Sequence, residues 1–180
     1  MTAVSGTAGS ILGGEVSGFR WFLYLITLVG VVFAHASANL FNDYFDVRSG
    51  VDTRDVSTAR YRPHPLAEGS LRPGEVLAEA LVFLAIAAGA GIYLTLLRGL
   101  PVLWISLGAG FALFFYTAPP LKYKYKALGE ISVFLMWGPL MVAGAYFVQA
   151  RSFSPEALLV SIPLGILVAL VIFANNIRDI

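Results

Sequence analysis

The sequence contains no cysteine, which excludes disulfides and thiolate metal sites and says nothing about redox compartment. It is also poor in charge. Asp, Glu, Lys and Arg make up 13% of its 180 residues, about half the share of a soluble domain. No Lys or Arg precedes Arg20, and the weak Gly-, Ser- and Thr-rich stretch before it does not read as a cleaved signal peptide. The net charge of +1 provides no global basic field, so no nucleic-acid partner is expected. The patterns G-x-x-x-x-G-K-[ST], H-E-x-x-H and G-x-S-x-G do not occur, leaving nucleotide hydrolysis, zinc proteolysis and serine hydrolysis without local support. Apolar residues dominate instead: 58% of the chain is hydrophobic and the mean hydropathy is +0.77. A soluble core of this size cannot hide that much apolar surface, whereas a lipid bilayer solvates it.

Five segments, 21–41, 76–97, 101–118, 131–150 and 157–175, are long and apolar enough to be read as membrane spans. None alternates strictly, which argues against a β-barrel and for an all-α, polytopic transmembrane helix bundle. Residues 3–14 are too short and too polar to span and read as the tail of a helix. Alternating the spans places nine of the twelve basic residues on one face, with Arg20, Arg98 and Arg151 on the other. The bias in positive charge predicts that the first face is cytoplasmic. Nine of the eleven acids fall on or near the same face, leaving Glu15 and Glu156 opposite. Acids do not obey the positive-inside rule, so their clustering has another cause.

The first strong span ends H-A-S-A-N-L-F-N-D-Y-F-D, residues 35–46. At about 100° per residue, His35, Asn39, Asn42, Asp43 and Asp46 share one helical face. A capped helix end needs one polar residue, not five on one face. A polar stripe in a membrane helix points to a bundle interior or a wet cavity. Asn42 and Asp46 project oxygens the same way, and oxygen-only ligands suit Mg²⁺, which takes one or two carboxylates plus substrate phosphates. His35 lies about two turns deeper, where a lone His more often packs than ligates. The following loop adds Asp52 and Asp55, together with Arg54, Arg60 and Arg62, whose guanidinium forks match phosphate oxygens. The last span ends N-N-I-R-D, residues 175–179, and echoes N-D-Y-F-D at residues 42–46 in the form N-x-x-x-D. Two such endings on one face suggest half-sites meeting across a bundle. Between them, Lys122 is a candidate phosphate contact. Lys124 and Lys126 alternate with tyrosines in the manner of headgroup anchors.

The run N-D-Y-F-D-V-R-S-G-V-D-T resembles the first aspartate motif of the UbiA superfamily of intramembrane prenyltransferases, and N-N-I-R-D-I resembles the start of the second. Residues 128–149 resemble the 1,4-dihydroxy-2-naphthoate prenyltransferase branch. The resemblance implies a nine-helix bundle in two related halves. About five to six of those helices would be present here, in a single transmembrane domain over 1–180 that is incomplete at the C-terminus and in its first helix. As a piece of a longer enzyme, it would not be expected to work alone.

The resemblance further implies Mg²⁺ bridging both motifs to a polyprenyl diphosphate, and an aromatic acceptor, 1,4-dihydroxy-2-naphthoate, prenylated for menaquinone synthesis. Asp43, Asp46 and Asp179 would then be catalytic. Asn42, Asp43, Asp46, Asp52 and Asp179 would hold metal, while Asn42, Arg60, Arg62, Lys122, Asn175, Asn176 and Arg178 would hold the diphosphate. The setting would be a bacterial or archaeal cell membrane with the motif loops in the cytoplasm. Other acceptors (4-hydroxybenzoate, a chlorophyllide, haem, a glycerophosphate lipid) remain alternatives, as does a transporter. A transporter's site is expected near mid-membrane, whereas these acids sit at helix ends.

Overall fold

The computed structural model describes residues 1–50, 66, 70–126 and 128–178, the side chain of Arg178 excepted. It is all-helical. Among the described residues six long helices follow one another: α1 (Thr2–Ser17), α2 (Trp21–Arg48), α3 (Pro73–Arg98), α4 (Leu100–Phe115), α5 (Gly129–Ala150) and α6 (Pro155–Arg178). α2, α3, α5 and α6 are long and apolar enough to cross a membrane. In the most apolar window of α3, only 11% of residues are buried inside the protein. Leu81, Val82, Ile86, Ile92 and Leu96 are exposed along α3, which only an apolar solvent tolerates over such an area. The chain is an integral membrane protein.

Local sequence explains where the helices begin and end. Pro73 occupies the first turn of α3, the Glu75 carboxylate accepts the Arg72 backbone N–H at 2.9 Å, and the Glu75 N–H donates to Arg72 O, which pairs donors the first turn would otherwise leave free. Ser154 Oγ accepts the Ala157 N–H and so caps α6. α4 has 16 residues, about 24 Å at the usual rise, and is shorter than the 101–118 span expected from sequence. Helix-type hydrogen bonds nevertheless continue as far as Ala118 N–H to Phe114 O. α1 covers residues 3–14 and a few more, as a 16-residue helix from Thr2 to Ser17.

Close backbone approach at small residues holds the bundle together. α1 runs parallel to the second half of α5. A Cβ on Gly9 would come within 2.3 Å of Val142 O, and one on Gly13 within 2.6 Å of Tyr146 O, so only glycine lets these helices touch. α5 carries a π-helical turn, Met136–Leu140, around Pro139. There Gly138 packs on Ser161 and Gly165 of α6, which runs antiparallel to it. α2 and α3 are also antiparallel, joined by Ser37 Oγ donating to Ala80 O at 2.8 Å and by the Phe33–Phe83 and Phe22–Tyr93 ring contacts.

Two ends result. One gathers the C-termini of α2, α4 and α6 with the start of α5: Phe114 packs on Phe41 and Phe45, and Asn176 Nδ2 donates to Glu130 Oε1 at 2.7 Å. The other gathers the end of α1, the start of α2 and the ends of α3 and α5. Gln149, buried there, accepts the Arg20 N–H and donates to Arg20 O.

Candidate functional site

α2 is continuous from Trp21 to Arg48, so the whole H-x-x-x-N-x-x-N-D-x-x-D stripe is helical and its five polar residues share one face. Its final turn meets the connection after α4. Three features fold that connection inward. Lys122 adopts a left-handed conformation (φ 42°). The Lys124 N–H donates to Tyr116 O at 3.0 Å. A 3-10 turn, Tyr123–Lys126, closes the reversal. Tyr123 pins the turn below: its hydroxyl donates to Ala112 O and accepts from Ser132 Oγ. Burial pushes the Tyr123 phenol up, partly offset by the Ser132 hydrogen bond, so it remains a donor at neutral pH.

The reversal delivers Lys124 and Tyr125 to α2. Asp46 is 2% exposed. The Lys124 ammonium lies 2.7 Å from Asp46 Oδ2 and 3.0 Å from Asn42 Oδ1, and the Tyr125 hydroxyl donates to Asp46 Oδ1. Two oxygens one helical turn apart thus converge on one positive charge. Breaking such a buried pair from one side leaves an uncompensated charge and costs about 3–5 kcal/mol. Lys122 points elsewhere, its ammonium 3.2 Å from Ser49 Oγ. Sequence reasoning kept Lys122 as the candidate and assigned Lys124 to the headgroups. The geometry instead brings Lys124 to Asp46, because the left-handed residue and the 3-10 turn rotate the Tyr-Lys repeat inward.

The remaining candidates divide by position. Asp43 lies on the same α2 face. Asn175 and Asn176 are on the last turn of α6 at the same end of the bundle. Asn176 is tied to Glu130, whose neighbour Gly129 packs beneath the Tyr116 hydroxyl and close to the Lys124 backbone. The second polar cluster therefore reaches the first through Glu130 and the 3-10 turn. Glu130 and Tyr125 carried no site signal in the sequence. His35 is deeper, its ring edge-on to Trp137 at 5.2 Å, with Nε2 3.4 Å from Asn39 Nδ2 and Nδ1 buried without a partner. Trp137 in turn donates to Thr2 Oγ1 at 2.8 Å. Asp52, Arg60, Arg62 and Asp179, and the side chain of Arg178, lie outside the described residues. A cavity of about 280 Å³, lined by Tyr44, Val47, Arg48, Leu66 and Pro73, opens on the opposite flank of α2.

Among the described residues, no three His, Asp or Glu side chains gather closely enough to hold a metal by themselves. What they do provide is one amide and one carboxylate oxygen aimed at a common cation, with the ammonium marking the point of convergence. That donor set suits Mg²⁺ shared with phosphate oxygens, because the ion needs only one or two protein carboxylates.

Residues 3–180 match the UbiA prenyltransferase family. The chain belongs to that family. Among its curated relatives, a 1,4-dihydroxy-2-naphthoate octaprenyltransferase of Bacillus subtilis is 30% identical over 162 residues, covering 88% of this chain and 50% of the relative. The enzyme of the same name from Mycobacterium tuberculosis is 32% identical over 160 residues, covering 89% and 53%. UbiA prenyltransferase domain-containing protein 1 of Dictyostelium discoideum is 33% identical over 170 residues, covering 92% and 51%. The chain thus spans about half the length of the curated relatives it matches.

Proposed function

We propose that this chain carries the diphosphate-binding half of a prenyltransferase that moves a polyprenyl group from polyprenyl diphosphate to an aromatic acceptor. The observation that supports this most strongly is the convergence of Asn42 and Asp46 on one cation at the end of an apolar helix. A polar head can be held there while an isoprenoid tail lies along lipid-facing surface. Mg²⁺, generally used by this family, would when bound neutralise the charge that builds on departing diphosphate. Asn42, Asp43 and Asp46 would hold it, with Asp52 and Asp179 as further ligands.

Lys124 has a second task in this scheme. Its ammonium lies between Asn42 Oδ1 and Asp46 Oδ2, the oxygens that would hold the metal, and with metal diphosphate bound there Lys124 would serve as a phosphate contact. Arg60, Arg62, Lys122, Asn175, Asn176 and Arg178 are the further diphosphate contacts. As the C–O bond to the prenyl carbon breaks, the bonding electrons leave with diphosphate and these donors stabilise the charge. An electron-rich ring carbon of the acceptor then forms the new bond to the prenyl carbon, and it sheds its own substituent without the bonding electrons, as a proton or, where it carries a carboxylate, as CO₂, which restores the aromatic ring. The motif end faces the cytoplasm, following the bias in positive charge, in a bacterial or archaeal cell membrane.

The acceptor we favour is 1,4-dihydroxy-2-naphthoate, as in menaquinone synthesis. The relatives bear two different names at similar identity, so the acceptor needs its own test. Membranes containing the full-length protein are incubated with labelled polyprenyl diphosphate and, separately, 1,4-dihydroxy-2-naphthoate or 4-hydroxybenzoate. A labelled lipid-soluble product that depends on the naphthoate is expected. A product formed only with the benzoate overturns the acceptor, while uptake of label without turnover favours transport.

A further inference from the structure

The end of the bundle opposite Asp46 contains a cluster that prenyl transfer does not use. Arg20 immediately precedes α2, Arg98 is the last residue of α3, and Arg151 follows α5. Far apart in sequence, they are brought together by the antiparallel return of the helices. Arg151 Nη2 donates to Leu97 O at 2.7 Å, which fixes it beside Arg98. Gln149 holds the Arg20 backbone by both its N–H and its carbonyl. Both Arg20 and Arg151 are near enough to repel the Arg98 guanidinium.

Arg98 itself is 8% exposed, and its Nε and Nη2 are buried without a hydrogen-bond partner. Among the described residues none of the three arginines is in an ion pair. The acids that sequence places at this end are Glu15 and Glu156, and Glu156 is engaged by the Ser154 hydroxyl. Three cations from separate segments, one of them buried with idle donors, are unfavourable unless an anion completes the group. Guanidinium forks select oxyanions, phosphate above all.

The rim indicates where the phosphate comes from. Trp21 adjoins Arg20, Leu100 follows Arg98 by two residues and Phe153 follows Arg151 by two; all three are exposed, Trp21 at 69%. Exposed aromatics beside cations at a helix end are the usual signature of the headgroup level. We propose that Arg20, Arg98 and Arg151 form an anion site for a phosphate group on the face opposite the motif end, filled by an anionic phospholipid of that leaflet. This site is separate from the diphosphate site and independent of the prenyl-transfer reading.

The test uses the full-length protein in phosphatidylcholine nanodiscs. Its melting temperature is followed as phosphatidylglycerol is added and, separately, as inorganic phosphate is added. Phosphatidylglycerol should raise the melting temperature saturably. Arg98→Gln, and the exposed Arg151→Gln should the buried variant fail to fold, should each require about tenfold more lipid, as expected for loss of one charge-assisted hydrogen bond. Gly74→Ala, at the other end, where an added methyl meets no neighbour, should keep the full shift. An equal shift from inorganic phosphate alone would support the arginine site but overturn the lipid as its occupant. No shift with either, or a shift that both arginine variants retain, overturns the site.

Discussion

Asp46 and Lys124 are the pair on which the local account turns. Asp46 was legible because helical periodicity gathers polar residues of an otherwise apolar span onto one face, and a helix through residues 35–46 is what α2 provides. Lys124 was not legible. In a Tyr-Lys-Tyr-Lys run, periodicity cannot tell which lysine turns inward; that choice is made by the left-handed backbone at Lys122 and by the Lys124 N–H to Tyr116 O bond. The two lysines therefore differ in their expected energetics. Lys124→Met should destabilise the protein by about 3–5 kcal/mol by stranding the Asp46 carboxylate. Lys122→Met should cost no more than about 1 kcal/mol, as an exposed contact does. Denaturant titration in detergent measures both, and Asp46→Asn combined with Lys124→Met should recover most of the larger loss. A double variant as unstable as the sum of the two singles would show that the pair is not coupled.

The existence and type of the helices followed from run length and hydropathy, since four of the five expected spans are long apolar helices. Finer features did not. α4 ends at Phe115, helix-type hydrogen bonds run on to Ala118, and only beyond them does the chain reverse to build the 3-10 turn, a reversal that an apolar count cannot see. Run length and hydropathy gave no sign of the π-helical turn around Pro139. Its consequence is the contact between Gly138 and α6. A Cβ at Gly138 would lie 2.8 Å from Ser161 O, a backbone atom that cannot move aside cheaply. Gly138→Ala should therefore cost about 1–3 kcal/mol by separating α5 from α6. Gly74→Ala, where the added methyl meets no neighbour, is the control for the same unfolding measurement. Equal stability of the two variants would contradict the packing described here.

Assembled, the helices place the end of α2 and the Asn175–Asn176 turn of α6 at one end and the three arginines of the minority basic face at the other. The sequence supplied that sidedness through alternation of spans and lopsided charge. It did not supply the path between the two clusters, which runs through Glu130 and the turn at Lys124. Because the chain has no native cysteine, single cysteines are unique reporters of sidedness. In sealed, oriented vesicles, Ser49→Cys and Ser152→Cys should react with an impermeant maleimide from opposite faces. Labelling of both from one side would overturn the topology.

The role proposed for the Asn42–Asp46 pair bears directly on diphosphate release. Labelled polyprenyl diphosphate is supplied to membranes carrying the full-length protein, with Mg²⁺ or with a chelator, and released diphosphate is counted for wild type and for Asp46→Asn. Wild type should release diphosphate with its acceptor present and stop when the metal is chelated. Asp46→Asn should fall by about 10²-fold or more while still eluting as a folded, monodisperse protein. Release by folded Asp46→Asn at a rate near wild type, or release indifferent to the chelator, would contradict a metal-diphosphate site at the end of α2.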